Sequence, residues 1–170
     1  MSLVRGLAAS GTASVLLDLT PWDRIAAIAG LGRGERGIAS IVAGTAPVAE
    51  VIHRDRHSTA HVVPSGGYHM NAAGGGLPAH LRLVLAAFRQ AYGCRVIEFD
   101  RAAIAHLPSL MDDGTAVVLA IGAGDDRIGE SISAELRSIG LADVVTMRIP
   151  ADPRADATAT GAGRAPSPSP

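Results

Sequence analysis

Five short aliphatic runs constrain this chain more than any other feature: Ser14–Leu19, His61–Pro64, Cys94–Phe99, Thr115–Ile121 and Asp143–Ile149. Each is bounded by Gly, Pro or Asp, and several are apolar at nearly every position. A strand with one wet face alternates apolar and polar residues, whereas a continuous apolar run suits a parallel strand covered on both faces. Between the runs lie helical patterns at Trp22–Leu31, Pro47–Arg54, Leu77–Tyr92, Arg101–Met111 and Asp126–Ile139. The clearest is Leu77–Tyr92, where Leu77, Leu81, Val84, Leu85, Phe88 and Tyr92 share one stripe. This alternation predicts an α/β fold: a doubly wound, mostly parallel sheet with helices on both faces. The first dozen residues read as the end of a helix running straight into the first strand.

A length of 170 residues fits one domain with a real core, expected over residues 1–150. Apolar residues make up 48% but aromatics only 3%, so that core must be built from Ala, Val, Leu and Ile. From Ala151 onward the chain is Pro, Ala, Ser, Thr, Gly, Asp and Arg without apolar period, which predicts a disordered tail over 151–170. The net charge is −1 with both signs interspersed, so no basic stripe for nucleic-acid phosphates is expected. Cys94 is the only cysteine, which rules out an internal disulfide and points to a reducing cytoplasm. No apolar run approaches the roughly 20 residues that span a bilayer. The N-terminal stretch is too short and too weakly apolar for a secretory signal.

All fifteen basic residues are arginine. A P-loop cradles phosphates with backbone N–H groups while a lysine ammonium reaches the terminal oxygens. No residue here can supply that ammonium. Ordinary P-loop ATP hydrolysis or phosphoryl transfer by this chain alone is therefore not expected, and no catalytic residue is assigned.

Several motifs nevertheless sit where ligands bind. The first strand ends in Asp18, at the sheet edge where open α/β folds hold ligands. An acid there suits a Mg²⁺-bound water, or simply caps the following loop. The run Val96–Asp100 offers a second edge acid, either Glu98 or Asp100, since both point to the same side of a strand. Gly122-Ala123-Gly124 follows a strand and precedes a helix, a turn suited to phosphate or to a tight connection.

Gly32-Arg33-Gly34-Glu35-Arg36-Gly37 matches the dinucleotide pattern but follows a helical stretch, so a helix-to-helix loop is the better reading. His53, His57 and His61 recur every four residues, with Asp55 among them and His69 nearby. Only a continuous helix would converge them on zinc, and this run passes from a helix end into a strand. No metal site is expected. Ser65 does not stand in the G-x-S-x-G pattern of a nucleophile elbow, since position 63 is Val. The glycine-dense loop Ser65–Gly76 reads equally as binding loop or slack.

Read in order, these segments resemble the nucleotide-binding domain of bacterial polysaccharide-associated tyrosine kinases. Those belong with the deviant P-loop ATPases of the septum-placement and plasmid-partition type. Val15–Arg24 resembles the family's second acidic motif, an apolar strand followed by Asp-x-Asp, Arg and Pro. Ile38–Gly44, Val51–Gly67, Phe88–Asp100 and Val117–Gly124 resemble the helix, strand, Walker B and turn segments that follow. The resemblance covers about residues 3 to 149. It implies a P-loop NTPase-like sheet whose first strand and P-loop would lie upstream of Met1. The departures are Thr20 at the second acid, Pro21-Trp22-Asp23-Arg24 in place of Arg-Arg-Pro, Ile121 at the turn's usual Arg, and no terminal tyrosine cluster.

The resemblance implies a degenerate, non-catalytic kinase-like module in exopolysaccharide or capsule export. It implies binding, at the cytoplasmic face of the inner membrane, to a membrane chain-length or export protein or to an intact kinase, with oligomers in keeping. Asp18, Glu98, Asp100, Gly122 and Gly124 are then the remnant nucleotide and Mg²⁺ positions, with ATP and Mg²⁺ the ligands such a site would take. Two alternatives stand beside it. One is the C-terminal part of an active ATPase whose P-loop lies on another or upstream segment. The other is a small-molecule Rossmann-like enzyme.

Overall fold

The computed structural model describes residues 1–32, 34–68 and 79–150. They fall into two compact units, Met1–Met111 and the residues from Asp112 onward. In the first unit, α1 (Ser2–Ala9) leads into β1 (Ser14–Asp18), followed by α2 (Arg24–Ala29), α3 (Ile38–Val42), β2 (His53–Arg54), β3 (His61–Val63), α4 (Ala79–Ala91) and β4 (Cys94–Glu98). The second unit contains β5 (Val117–Gly122), α5 (Asp126–Ser138) and β6 (Val144–Ile149).

Strand order in the first unit is β2-β3-β1-β4, with β1 parallel to both β3 and β4. Every residue of β1 is buried, because both of its edges are paired and both faces are covered. Strand alternation sends Val15 and Leu17 to one side and Leu16 to the other. Val15 and Leu17 pack with Ile38 and Ile41 of α3 and with Leu81, Leu85 and Phe88 of α4. Leu16 packs with Val4 of α1 and with Ile25 and Ala29 of α2. Helices therefore roof both faces, as the apolar runs predict. Truncating one of these leucines to Ala would cost about 2–5 kcal/mol.

The α1-to-β1 junction is as read from the sequence. Two predicted helices are not regular α-helices. Pro47–Arg54 gives only a 3₁₀ turn at Val48–Glu50, and then the chain extends into β2. Antiparallel pairing of His53 with Val62 and Arg54 with His61 wins over local propensity, and the Asp55 N–H closes the hairpin on the Ala60 carbonyl at 2.9 Å. Arg101–Ser109 winds as a 3₁₀ helix with Pro108 inside it, a residue with no N–H to give an α-helical bond.

The hairpin is tied to α1 by an ion pair whose carboxylate is buried and whose guanidinium is partly exposed. Arg5 Nε and Nη2 donate to the two carboxylate oxygens of Asp55 at 2.9 and 2.8 Å, and Ser58 Oγ adds a third bond at 2.7 Å. Held this way, chiefly by the Arg5 bond, Asp55 is pulled down to about pKa 2.

In the second unit β5 and β6 run parallel over six register pairs, Val117↔Val144 through Gly122↔Ile149. Helix α5 lies on β5, so closely that a Cβ on Gly129 would meet Ile121 Cδ1 at 2.3 Å. Val117 and Ile121 are buried, whereas Val118, Val145 and Met147 are exposed. The strands are thus divided between two sheets, one in each unit. The predicted tail 151–170, residues 69–76 of the glycine-dense loop with His69 among them, and Leu77 of the predicted helix lie outside the described residues.

Candidate functional site

Parallel strands carry their C-terminal ends to one edge, and β1 brings Asp18 there between its two neighbours. Its side chain is 0% exposed. One oxygen is used locally: Asp18 Oδ1 accepts the Thr20 N–H at 2.9 Å and the Thr20 hydroxyl at 2.6 Å. That is a turn closed by the acid, the capping role the sequence allowed. The other oxygen, Oδ2, is buried without a hydrogen-bond partner among the described residues. A buried carboxylate oxygen left unmatched costs free energy and calls for an explanation. Burial pushes the Asp18 carboxyl up to about 6, the two Thr20 bonds pull it back, and the carboxylates of Glu98 and Asp23 add to the rise.

Register places the two candidate edge acids differently. Asp18 lies directly across the ladder from Glu98. Asp100 is two residues further on, where its Oδ1 accepts the Ala102 N–H at 3.0 Å and caps the 3₁₀ helix. Glu98 is exposed while Asp18 is shut in.

Behind Asp18, the chain from Thr20 to Asp23 turns over the end of β3. Thr20 Oγ1 lies 3.1 Å from the Trp22 carbonyl, and buried Ser65 donates its hydroxyl to Asp23 Oδ1 at 3.0 Å. Sequence reading missed this link, since Asp23 and Ser65 are far apart and neither carries a local signal. Ser65 is a tether here, also accepting the Gly67 N–H at 3.2 Å.

The glycine pattern at 32–37 connects α2 to α3. A Cβ on Gly37 would lie 2.0 Å from the Pro64 carbonyl oxygen, so this glycine exists for close approach of backbones. The first amides of α3 are already spent, Ile38 on Pro64 O at 2.9 Å and Ala39 on Ser65 O at 3.0 Å. These two amides are not available to a pyrophosphate. A cavity of about 340 Å³ does open beside the loop, lined by Asp23, Ala26, Leu31, Glu35 and Pro64 among others. Among the described residues its charged lining groups, Asp23 and Glu35, are acidic.

In the second unit, Gly122 ends β5 and Gly124 takes a left-handed φ of 87° that suits glycine. The Asp125 carboxylate leans over this turn, 2.8 Å from where a Gly122 Cβ would be. Asp126 stands in the first turn of α5 and pairs with Arg148. The Asp125 carboxylate thus lies against the turn that would have to receive an anion.

The histidines are spread apart. His53 Nε2 donates to the Arg36 carbonyl at 2.8 Å, His57 lies in the hairpin turn, and His61 Nδ1 is 2.7 Å from the Tyr92 hydroxyl. Among the described residues no three His, Cys, Asp or Glu side chains converge to hold a metal. Mg²⁺ needs only one or two carboxylates besides phosphate and water. Asp18 and Glu98 are of the right chemistry, but the unmatched Asp18 oxygen has no opening to solvent in this conformation.

No family model and no curated protein matches the sequence. Solved structures do. The VpsO kinase domain superposes with a TM-score of 0.68 at 20% identity, covering 86% of this chain and 75% of that one. The fold is that of the P-loop NTPase-like proteins. The kinase domain of Escherichia coli tyrosine kinase ETK matches with a TM-score of 0.66 at 14% identity, over 99% of this chain and 64% of that chain. Cobyrinic acid a,c-diamide synthase from Mycobacterium smegmatis, with bound ATP analog and magnesium, matches with a TM-score of 0.57 at 16% identity, over 88% of this chain and 64% of that one.

Proposed function

We propose that this chain is a kinase-like binding module that performs no phosphoryl transfer of its own. It acts in polysaccharide export at the cytoplasmic face of the membrane, by engaging a membrane chain-length protein or an intact kinase. The shared fold with two bacterial kinase domains supports the class. The observation that carries the non-catalytic reading is the state of Asp18: one oxygen is consumed by Thr20, and the other is closed off. The absence of lysine from all 170 residues adds to it, since nothing here clamps a terminal phosphoryl group. Among the described residues no helix is long and apolar enough to cross a membrane.

The test is Mg²⁺-dependent phosphate release and ATP-analogue binding by the purified full chain, alone and with a full-length kinase of the polysaccharide type. The reading expects no turnover from the chain alone and co-migration with the kinase. Sustained ATP hydrolysis by these residues alone would sink it.

A further inference from the structure

The cavity beside the glycine loop has a floor and a rim of opposite character. It holds about 340 Å³, inside the size range of ligand pockets. The floor is apolar: Ala26 and Pro64 are buried and Leu31 is half-buried. The rim carries two exposed acids, Asp23 just before α2 and Glu35 on the loop. Gly32 also lines it and has no side chain to fill the opening.

The fold places both carboxylates. Buried Ser65 donates to Asp23 Oδ1 at 3.0 Å, and no described hydrogen bond engages the other oxygen. A Cβ on Gly32 would lie 3.1 Å from Glu35 Oε1, so that carboxylate stands over the glycine of the cavity wall. Among the described residues no cation pairs with either acid: Arg36 is taken by Glu50 and Arg5 by Asp55.

This combination selects its occupant by charge. A phosphate or nucleotide would meet two like charges. A bare divalent ion wants more oxygens than two carboxylates over an apolar floor provide, and among the described residues no three such groups converge. A cationic head on an apolar stem matches both halves, the stem on the floor and the head at the rim. Guanidinium suits the rim better than ammonium, because its planar fork serves two carboxylates and it is more weakly hydrated.

We propose that this cavity receives an arginine side chain of the partner polypeptide. This rests on the binding-module reading and names the chemistry that holds the partner. Arginine seated in a pocket is a recurrent anchor of protein interfaces, and charge complementarity of this kind sets specificity. On an exposed rim one such side chain binds weakly by itself, so it serves as one anchor of a larger contact.

The experiment is an NMR titration of the full chain with N-acetylarginine methylamide and with its citrulline counterpart, which keeps the shape and loses the charge. The arginine compound should give saturable shifts at the amides of Ala26, Ala27 and Leu31, half-complete at about 1–10 mM in low salt. The citrulline compound should give none, and added salt should weaken the arginine effect. Glu35→Gln and Asp23→Asn should each weaken binding by about threefold or more, the asparagine keeping an oxygen for Ser65. Ala27→Leu adds bulk to the cavity lining and should abolish the shifts.

Four results overturn the proposal. They are equal shifts with citrulline, no saturable shift with arginine, binding that tightens about tenfold in Arg33→Ala, and shifts that follow protein concentration without ligand. The third would give the cavity to the chain's own arginine and the fourth to a second copy. The wild-type comparison of arginine with citrulline decides the matter even where a variant fails to fold. Phosphate release is followed in the same samples. Turnover with arginine bound would end the non-catalytic reading and leave the anchor standing, whereas silent samples without shifts would remove only the anchor.

Discussion

Asp18 and Asp55 are both closed off from solvent in the same unit, at 0% and 2% exposure, yet their surroundings have little in common. Asp55 has a guanidinium across both oxygens and a hydroxyl besides, and its charge is held below the usual carboxylate range. Asp18 has one oxygen in a turn, the other facing nothing, and acidic neighbours. The first is an architectural acid: it pins α1 to the hairpin, and the fold explains it. The second is an expense that the fold does not recover, and such residues concentrate where a protein does its work. Substitution can show whether that distinction holds.

The largest effect is expected on the paired side. Arg5→Ala strands the Asp55 carboxylate inside the unit with only Ser58 and backbone for company. Breaking a buried pair from one side is strongly destabilising, and here it should lower the melting temperature by about 10 °C at neutral pH. The Arg5 side chain is 29% exposed, so water reaches part of the gap and keeps the loss from the upper extreme. A drop of only a degree or so would reduce this pair to the rank of a surface contact.

Next comes the dependence on pH, where the two acids work in opposite senses. Asp55 is lowered from 3.8 to about 2, so its stabilisation is present above pH 3.8 and is lost as pH falls toward 2, about 2 kcal/mol in all. Asp18 is raised from 3.8 to about 6, so the folded state holds its proton more tightly than the unfolded chain does. Its contribution is complete below pH 3.8 and is lost as pH rises to about 6, some 3 kcal/mol in all. Urea unfolding of wild type and Asp18→Asn at pH 4, 5, 6, 7 and 8 isolates the second slope. The difference between the two proteins should change by about 3 kcal/mol between pH 4 and 7 and then level off. Parallel profiles across that range would mean Asp18 is not the strained acid described here.

The contrast also marks what the sequence could and could not convey. Asp18 was legible because an acid ending an aliphatic run is a positional signal, and position at a parallel sheet's edge follows from the run itself. Its pairing with Glu98 rather than Asp100 was not, because strand register depends on which residues meet across the ladder. Asp55 stood in the sequence among three histidines, a run that passes from a helix end into a strand and so gave no metal site and no other role. Its partner Arg5 is fifty positions away, and nothing local points from one to the other. Likewise the helix expected at Pro47–Arg54 gave way to β2, since β3 supplied a ladder that no local pattern announces. Gly37 was read as a loop glycine and proves to be a packing one, and only the approach of Pro64 reveals the reason.

The smallest expected effects are the most discriminating, because the same chemical deletion can be made on both acids. Ser58→Ala removes the hydroxyl bond to Asp55, and Thr20→Val removes the hydroxyl bond to Asp18 while leaving the backbone N–H in place. Each should cost about 1–2 kcal/mol, the worth of a hydrogen bond to a charged group. The pH at which the cost appears should differ. Asp55 is ionised throughout the range above pH 4, so Ser58→Ala should be equally destabilising at pH 5 and pH 8. Asp18 is protonated below about 6, so the full Thr20→Val penalty should emerge only as pH climbs past that value. Losing the hydroxyl also pushes the Asp18 carboxyl higher still, which moves the onset upward in the variant. A Thr20→Val cost identical at pH 4 and pH 8 would show that the hydroxyl serves the turn and not the charge, and the two acids would then differ only in their partners.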